Sequence, residues 1–542
     1  MRTLVSERVD DAPTSPPEEP SAPWTQKLAP LVIAGVVVVG VALRFVTTSA
    51  LWLDEALSVN IAKLPVGDLL DALRHDGHPP LYYLLLHGWM QVFGEGDVAV
   101  RALSGIIGVA TLPLAYVAGR RLAGVAGGRW ALVVVALSPY SVRYATETRM
   151  YSLVMLLTLV GYLVLTDALH TPTAGRLAAL TLVSGTLLLT HYWSFYLVAA
   201  VGLLLVVRWW RVPGERPTTV RLTVAVAAGG LLFLPWLGGF LYQGAHTGTP
   251  WGAPYRPTEL VQTTLDDLGG GLVSESFLAG TVIVVLALVA LFAARASRDE
   301  LTLDLRTTPL VRREVLVVAV TAALGCAVGY ATSATYQSRY AAVFVPLLLV
   351  AVAVGITRFV GPARLVAGGS LVALSLAGLV WIQAFERTQS EEVAAAVAER
   401  AEPGDVVVYC PDQLGPAYSR AMPSDITQVV YPTLGPPQRV DWVDYGDRNA
   451  AADPAAIARD VLDMADGHGV FVVWMAKYRT LEGQCEDLVN ALGRGELIVS
   501  EDQAKYYEPA NVHWFPAGRT DATGGTPGLG AAASSGSADD GA

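Results

Sequence analysis

Leu51-Trp52-Leu53-Asp54-Glu55-Ala56 closes the first long apolar run of a 542-residue chain. Two adjacent carboxylates stand where a membrane helix would emerge into water. At the centre of a span an ionisable side chain costs roughly 2.5–3.5 kcal/mol on insertion scales, so such residues face a cavity, a partner or a ligand. Whether this pair is a solvated helix end or part of a site decides how the rest of the chain is read.

The chain is 53% hydrophobic and 16% charged, with a formal net charge of −11. Repeated apolar stretches of about 20 residues indicate a polytopic membrane protein. No Lys/Arg cluster forms a groove for nucleic acid, and three cysteines exclude a disulfide scaffold and offer no metal-ligand spacing. Residues 1–29 read as a disordered cytoplasmic lead rather than a signal peptide, and 517–542 as a disordered tail rich in Gly, Ala, Ser and Asp.

The first span is expected at 31–51, with Arg44 snorkelling or facing the bundle. A short helical pattern follows from Ser58 to Leu73. The run after His78-Pro79-Pro80 reaches only Phe93 and carries His87, Trp89 and Gln91, too short and polar for a crossing. It reads as a helix on the membrane surface. Further spans are expected near 98–119, 128–142, 150–169, 176–190, 194–208, 219–241, 273–294, 314–332, 341–357 and 365–385, about eleven in all. With the N-terminus cytoplasmic, the loops holding Arg120, Arg121, Arg129, Arg208, Arg211, Arg216, Arg221, Arg312 and Arg313 fall inside, in accord with the positive-inside rule. Counting 79–93 as a crossing would put them outside.

Residues 386–516 have the composition of a soluble domain. Strands are expected at 404–410, 426–431, 470–475 and 497–500, with helices near 390–401, 454–466 and 479–492. The fold class is thus a polytopic α-helical membrane domain, 30–385, followed by an extracytoplasmic α/β domain. Cys410 and Cys485 either pair there or stay as two buried thiols.

In this register the unusual polar residues share the outer side: Asp54, Glu55, His78, Arg143, Glu147, Arg149, Tyr151, His191, Tyr192, Arg339 and Tyr340. A carboxylate can take the proton of an attacking hydroxyl. Arginine can hold a departing phosphate bidentately. Aromatic and polar side chains suit a sugar. No Gly-rich loop follows a strand in the apolar region, so a nucleotide-sugar site is not evident. A donor delivered by the membrane fits better: a sugar on a lipid phosphate, handed to a hydroxyl acceptor.

Leu51-Trp-Leu-Asp-Glu55, His78-Pro-Pro-Leu-Tyr-Tyr83, the Arg101 segment, Ser138-Pro139, Glu147-Thr-Arg-Met-Tyr151 and Ser338-Arg-Tyr340 together resemble the membrane glycosyltransferases of the GT-C fold. The likeness is to the protein-mannosyltransferase and aminoarabinose-transferase group, over about residues 30–385. It implies Asp54 as catalytic base and Glu55 as a supporting or acceptor-binding residue. It also implies surface helices after the first span, a polyprenyl-phosphate sugar as donor, and work at the outer face of the cytoplasmic membrane on a glycan, lipid or protein acceptor. Arg149 and Arg339 are the candidates for the donor phosphate, with His78, Tyr82, Glu147, Tyr151, His191 and Tyr340 lining the cleft. A divalent cation is used by some relatives and not by others; Asp266-Asp267 is the one acidic pair that could serve. Two rivals are a lipid or glycan flippase, which would call for charges deep in several spans and related halves, and a non-catalytic scaffold for the C-terminal domain.

Overall fold

The computed structural model describes residues 23–250, 252, 256–271, 273–297, 300–476 and 479–518. Most of the expected polar lead (residues 1–22) and nearly all of the expected tail (519–542) lie outside the described residues.

Sixteen helices precede the C-terminal part: α1 Pro23–Leu43, α2 Leu53–Ala62, α3 Val66–Asp76, α4 Leu81–Phe93, α5 Asp97–Leu137, α6 Pro139–Ala145, α7 Tyr151–His170, α8 Ala174–Thr190, α9 Ser194–Arg211, α10 Arg216–Phe233, α11 Leu237–His246, α12 Pro257–Gly269, α13 Val273–Phe292, α14 Arg312–Ala331, α15 Val345–Thr357 and α16 Pro362–Ala384. Among the described residues, seven helical segments are long and apolar enough to cross a membrane, and the shorter apolar ones are Leu28–Leu43, Ala174–Thr190 and Val345–Thr357. Helix α15 is buried from Val345 to Ile356. Its sequence is apolar on every side, as a helix in the centre of a bundle must be.

Two expectations are corrected, and of the two readings of Arg44 the one facing the bundle holds. The first helix ends at Leu43, not Leu51. Beyond it the chain runs without helix to Trp52, and the Arg101 guanidinium takes up the carbonyls of Ser49 and Ala50. Arg44 does not snorkel; it is buried and donates to the carbonyls of Gly40, Val135 and Ala136. The helical pattern from Ser58 to Leu73 is two helices, α2 and α3, broken by Leu64-Pro65, because proline lacks an N–H for a helix interior. Helix α4, of 13 residues, is as short as its sequence requires.

The spans expected at 98–119 and 128–142 are the two arms of α5, which turns back at Ala123 and at Gly124, whose φ is 64°. Glycines let the arms touch: a Cβ on Gly119 would lie 2.5 Å from the Gly127 carbonyl oxygen, and the reverse holds for Gly127. The hairpin carries Arg120 and Arg121 away from Asp97 and Leu137 at its open end. Arg121 pairs with Asp167 in the last turns of α7, at 2.8 Å, whereas α7 begins at Tyr151 beside the site described below. A short hairpin, β1 Ala293–Ala296 with β2 Leu301–Leu303, links α13 to α14.

From Glu386 onward the chain alternates strands and helices: β3 Glu386–Thr388, α17 Ser390–Ala398, β4 Val406–Cys410, α18 Gly415–Tyr418, β5 Thr427–Val430, α19 Tyr445–Ala450, α20 Pro454–Ala465, β6 Val470–Trp474, α21 Gln484–Ala491, β7 Glu496–Val499, β8 Tyr506–Glu508 and β9 Asn511–Phe515. The main sheet has the order β5-β4-β6-β9-β7. Strands β5, β4 and β6 run parallel, and β9 is antiparallel to both of its neighbours. Asp453 caps α20 ahead of Pro454 at its first position. Cys410, at the end of β4, is disulfide-bonded to Cys485 on α21. Strands β3 and β8 form a separate parallel pair, and this pair meets the membrane helices.

Candidate functional site

Helix α2 starts at Leu53, so Asp54 and Glu55 both lie in its first turn, where the helix dipole favours negative charge. They are successive residues on a helix and point in different directions.

Glu55 points inward. Its side chain is fully buried, takes two hydrogen bonds from Arg101 at 2.8 and 2.6 Å, one from Arg387 of β3 at 3.1 Å and one from the Thr148 N–H at 3.0 Å. Burial alone would raise its pKa, but Arg101, Arg387 and these hydrogen bonds outweigh it and hold the carboxyl at about 2. All its acceptor capacity is committed within the protein, and it does not line the cavity.

Asp54 points the other way, into a cavity of about 310 Å³. Its Oδ2 lies 3.0 Å from Arg339 Nη1 and 3.8 Å from Arg149 Nε. These are ion-pair approaches; neither has hydrogen-bond geometry, and Oδ2 has no hydrogen-bond partner among the described residues. Both arginine Nε atoms are likewise buried without one. An unsatisfied buried donor costs about 1–3 kcal/mol, so two of them beside a carboxylate mark a place built for something further. Arg339 also lies over the Trp52 ring, 5.7 Å from its centroid.

The second side of the cavity is a relay. Gly77 ends α3 with φ 88°, a left-handed cap that turns His78 toward the site. Arg149 Nη2 donates to His78 Nε2 at 2.9 Å. Arginine cannot accept, so the imidazole proton sits on Nδ1 and faces Asp76 Oδ2, 2.9 Å away. Tyr83 donates to the same Asp76 oxygen at 2.7 Å. Burial works against the Asp76 charge, but His78, Arg149 and Tyr83 hold its pKa below the ordinary value. Arg149 Nη1 donates to Ser58 and Tyr83, which fixes the guanidinium.

The structure therefore gathers Asp54, His78, Arg149, Arg339 and Tyr340 around one cavity. Tyr151 and His191 lie just behind: the His191 ring is 5.8 Å from Tyr151 and 5.3 Å from Tyr340. Tyr82 and Glu147 are not on the wall. Tyr82, neighbour of Tyr83 on α4, is fully buried against Ser104 at 2.8 Å. Glu147 is buried 3.6 Å from Arg143; burial, with Glu55 and Asp54 nearby, raises its pKa against the pull of Arg387 and Arg143.

Trp52 lines the wall from within the opening motif, and several wall residues carry no sequence signal of their own: Asp76, and from the C-terminal domain Gln413, Trp442, Tyr507 and Glu508. That domain is held down by Arg387, which also donates to Thr146 at 2.9 Å, and by a T-shaped contact of Tyr507 with Trp52. The Trp442 N–H donates to the His75 carbonyl at 3.1 Å and the Asp444 N–H to that of His246 at 2.9 Å.

The acidic pair Asp266-Asp267 does not form a metal site. Asp267 accepts from Tyr144 at 2.7 Å and from Arg143 at 3.4 Å. No three His, Cys, Asp or Glu side chains come together among the described residues to hold an ion, and the carboxylate in the cavity is flanked by guanidiniums. The residues present do not fit a divalent cation.

A sequence-family model described as dolichyl-phosphate-mannose-protein mannosyltransferase matches residues 77–237, a stretch that holds His78, Arg149 and His191. No curated protein matches the chain. Among solved structures, ArnT from Cupriavidus metallidurans bound to undecaprenyl phosphate aligns with TM-score 0.54 at 12% identity, covering 93% of this chain and all of that one. The apo state of the same protein aligns with TM-score 0.54 at 12% identity, over 91% of this chain and 98% of that one. With the helical bundle, the three short helices after α1 and the strand-containing domain behind it, these likenesses establish that the chain is a multi-pass membrane protein with the GT-C fold.

Proposed function

We propose that the protein transfers a hexose or pentose from a polyprenyl phosphate to an acceptor hydroxyl, in one inverting step, at the outer face of the cytoplasmic membrane. The observation that carries this reading is Asp54 Oδ2, which lies in the cavity without a hydrogen-bond partner among the described residues, ion-paired between two arginines whose buried Nε–H groups also lack one. The acceptor oxygen forms a bond to the anomeric carbon as the bond from that carbon to the phosphate oxygen breaks. The acceptor proton passes to the Asp54 carboxylate, and the electron pair stays with the departing phosphate. Arg149 and Arg339 stabilise that charge, and arginine on a desolvated phosphate is worth more than it is in water. The phosphate competes with Asp54 for Arg339 and so frees the carboxylate for the acceptor. His78, held by Asp76, fixes Arg149.

The undecaprenyl phosphate on the ArnT neighbour supports a polyprenyl carrier here. The hairpin of α5, which sets Arg120 and Arg121 at the end of the bundle away from the cavity, supports the outer location.

The test is transfer by the purified protein from undecaprenyl-phosphate mannose and undecaprenyl-phosphate arabinose, read as release of undecaprenyl phosphate. Wild type should turn over one of them, and Asp54→Asn should lose at least 100-fold, the lower range for general-base removal. Turnover of Asp54→Asn near the wild-type rate would refute the base assignment.

A further inference from the structure

One buried carboxyl on the cavity wall comes from the C-terminal domain. Glu508 ends β8 and alternates with Tyr507, which turns to the Trp52 ring, while Glu508 turns inward and is 6% exposed. Its backbone is pinned: its carbonyl accepts from the Gln389 N–H at 3.2 Å and from the Tyr418 hydroxyl at 2.8 Å. Its side chain reaches the start of α2, near the Leu53 N–H and the Thr388 hydroxyl. Oε2 nonetheless has no hydrogen-bond partner among the described residues. Leaving one polar atom bare in a buried site is costly, and on a cavity wall a ligand can take it up.

We propose that Glu508 is a specificity-determining residue, its carboxyl hydrogen-bonding a hydroxyl of the sugar held over Asp54. The inference rests on the glycosyl-transfer reading above. Four observations meet in it: the residue lines the same cavity as Asp54, its backbone is fixed, one of its oxygens is unsatisfied, and the aromatic side chains Trp52 and Trp442 line that cavity too. Carbohydrates are bound by this combination of ring faces and polar atoms. Charge agrees with the geometry. Burial, with the Asp54 charge adding to it, raises the Glu508 pKa well above the ordinary range, against the pull of Thr388 and the Leu53 N–H. A protonated carboxyl donates one hydrogen bond and accepts others, as a sugar hydroxyl requires, and adds no negative charge beside the donor phosphate. The C-terminal domain thereby reads the sugar, while the membrane helices hold the phosphate and the base.

Glu508→Ala and the isosteric Glu508→Gln test this in the full-length protein. Undecaprenyl phosphate carries no sugar, and its Kd should stay within twofold of wild type in both variants. Turnover of whichever donor the wild type uses, undecaprenyl-phosphate mannose or arabinose, should fall at least tenfold in Glu508→Ala, and Glu508→Gln should recover most of that loss. The groups facing Glu508 are Asp54 from α2 and Thr388 and Tyr418 from its own domain, with Arg339 and Arg149 behind Asp54. Wild type should therefore lose rate on the alkaline side as Glu508 ionises, and Glu508→Gln should lose that limb. In an Asp54→Asn background, a weaker Kd for the intact donor on adding Glu508→Ala assigns the contact to the donor's sugar. An unchanged Kd with impaired turnover assigns it to the acceptor's. Wild-type turnover in Glu508→Ala, or a parallel loss of undecaprenyl phosphate binding in both variants, overturns the proposal. A wild type that binds no undecaprenyl phosphate overturns the transfer reading itself, a result distinct from any confined to the variants.

Discussion

Asp54 and Glu55 differ by one methylene and one position, and the structure gives them opposite tasks. One carboxylate is spent on Arg101, Arg387 and Thr148; the other is left open between Arg339 and Arg149. Removing one member of a buried pair leaves its partners uncompensated, at a cost of roughly 3–5 kcal/mol. Glu55→Ala should therefore lower thermal stability in detergent by that order and reduce transfer only through the folded fraction. Because the folded pKa of Glu55 is depressed to about 2 from 4.5, its contribution is fully present above pH 4.5 and is lost as pH falls through 2. The stability gap between wild type and Glu55→Ala should stay constant from pH 7 to pH 5 and narrow only below that; a gap that widened on acidification would contradict the assignment. Arg149→Lys and Arg339→Lys keep charge but lose the planar fork. Each should weaken undecaprenyl phosphate binding at least tenfold, measured by quenching of tryptophan fluorescence.

At the scale of elements, the motif segments come together around the cavity, but not every side chain in them faces it. His78 and Arg149 reach the cavity from loops, where a single residue can be recognised by its type, and Arg339 reaches it from the 3-10 turn Ser338–Val343. On helices the motif spans two faces, and adjacent residues cannot share one. Glu55 and Tyr82 were expected at the site for this reason, and Tyr83 rather than Tyr82 joins the Arg149 network. The first helix ended early because Arg101, far along the chain, satisfies the carbonyls after it, something no local pattern contains. Strand β9 was not expected at all, although it sits between β6 and β7: Asn511-Val-His-Trp-Phe515 is short and polar at one end, and only its neighbours define it. The α5 hairpin makes its own prediction. With the Gly119 Cβ position 2.5 Å from the Gly127 carbonyl oxygen, Gly119→Val should part the arms, and the protein should elute as aggregate in detergent chromatography.

For the whole molecule, the cavity exists because two unlike parts close on each other. Membrane helices bring base and cations, and the C-terminal domain brings Gln413, Trp442, Tyr507 and Glu508 across from them. The helical architecture and a soluble α/β part were legible from hydropathy and strand patterns. The shared wall was not, since its two halves come from distant stretches of the chain and the far half holds ordinary residue types. Arg387 is the joint: it reaches Glu55 and Thr146 from β3. Arg387→Ala should raise hydrogen exchange in β3 and β8 while leaving β4 and β6 protected, behind the disulfide of Cys410 with Cys485.

The most direct measurement is made on Asp54→Asn with the donor in hand: single-turnover transfer alongside the Kd for undecaprenyl phosphate. An amide keeps the shape of the side chain but cannot take a proton. The account predicts that carrier binding survives, equal to or tighter than wild type because Arg339 is released, while transfer falls at least 100-fold. Transfer at the wild-type rate, or loss of carrier binding together with activity, would contradict it.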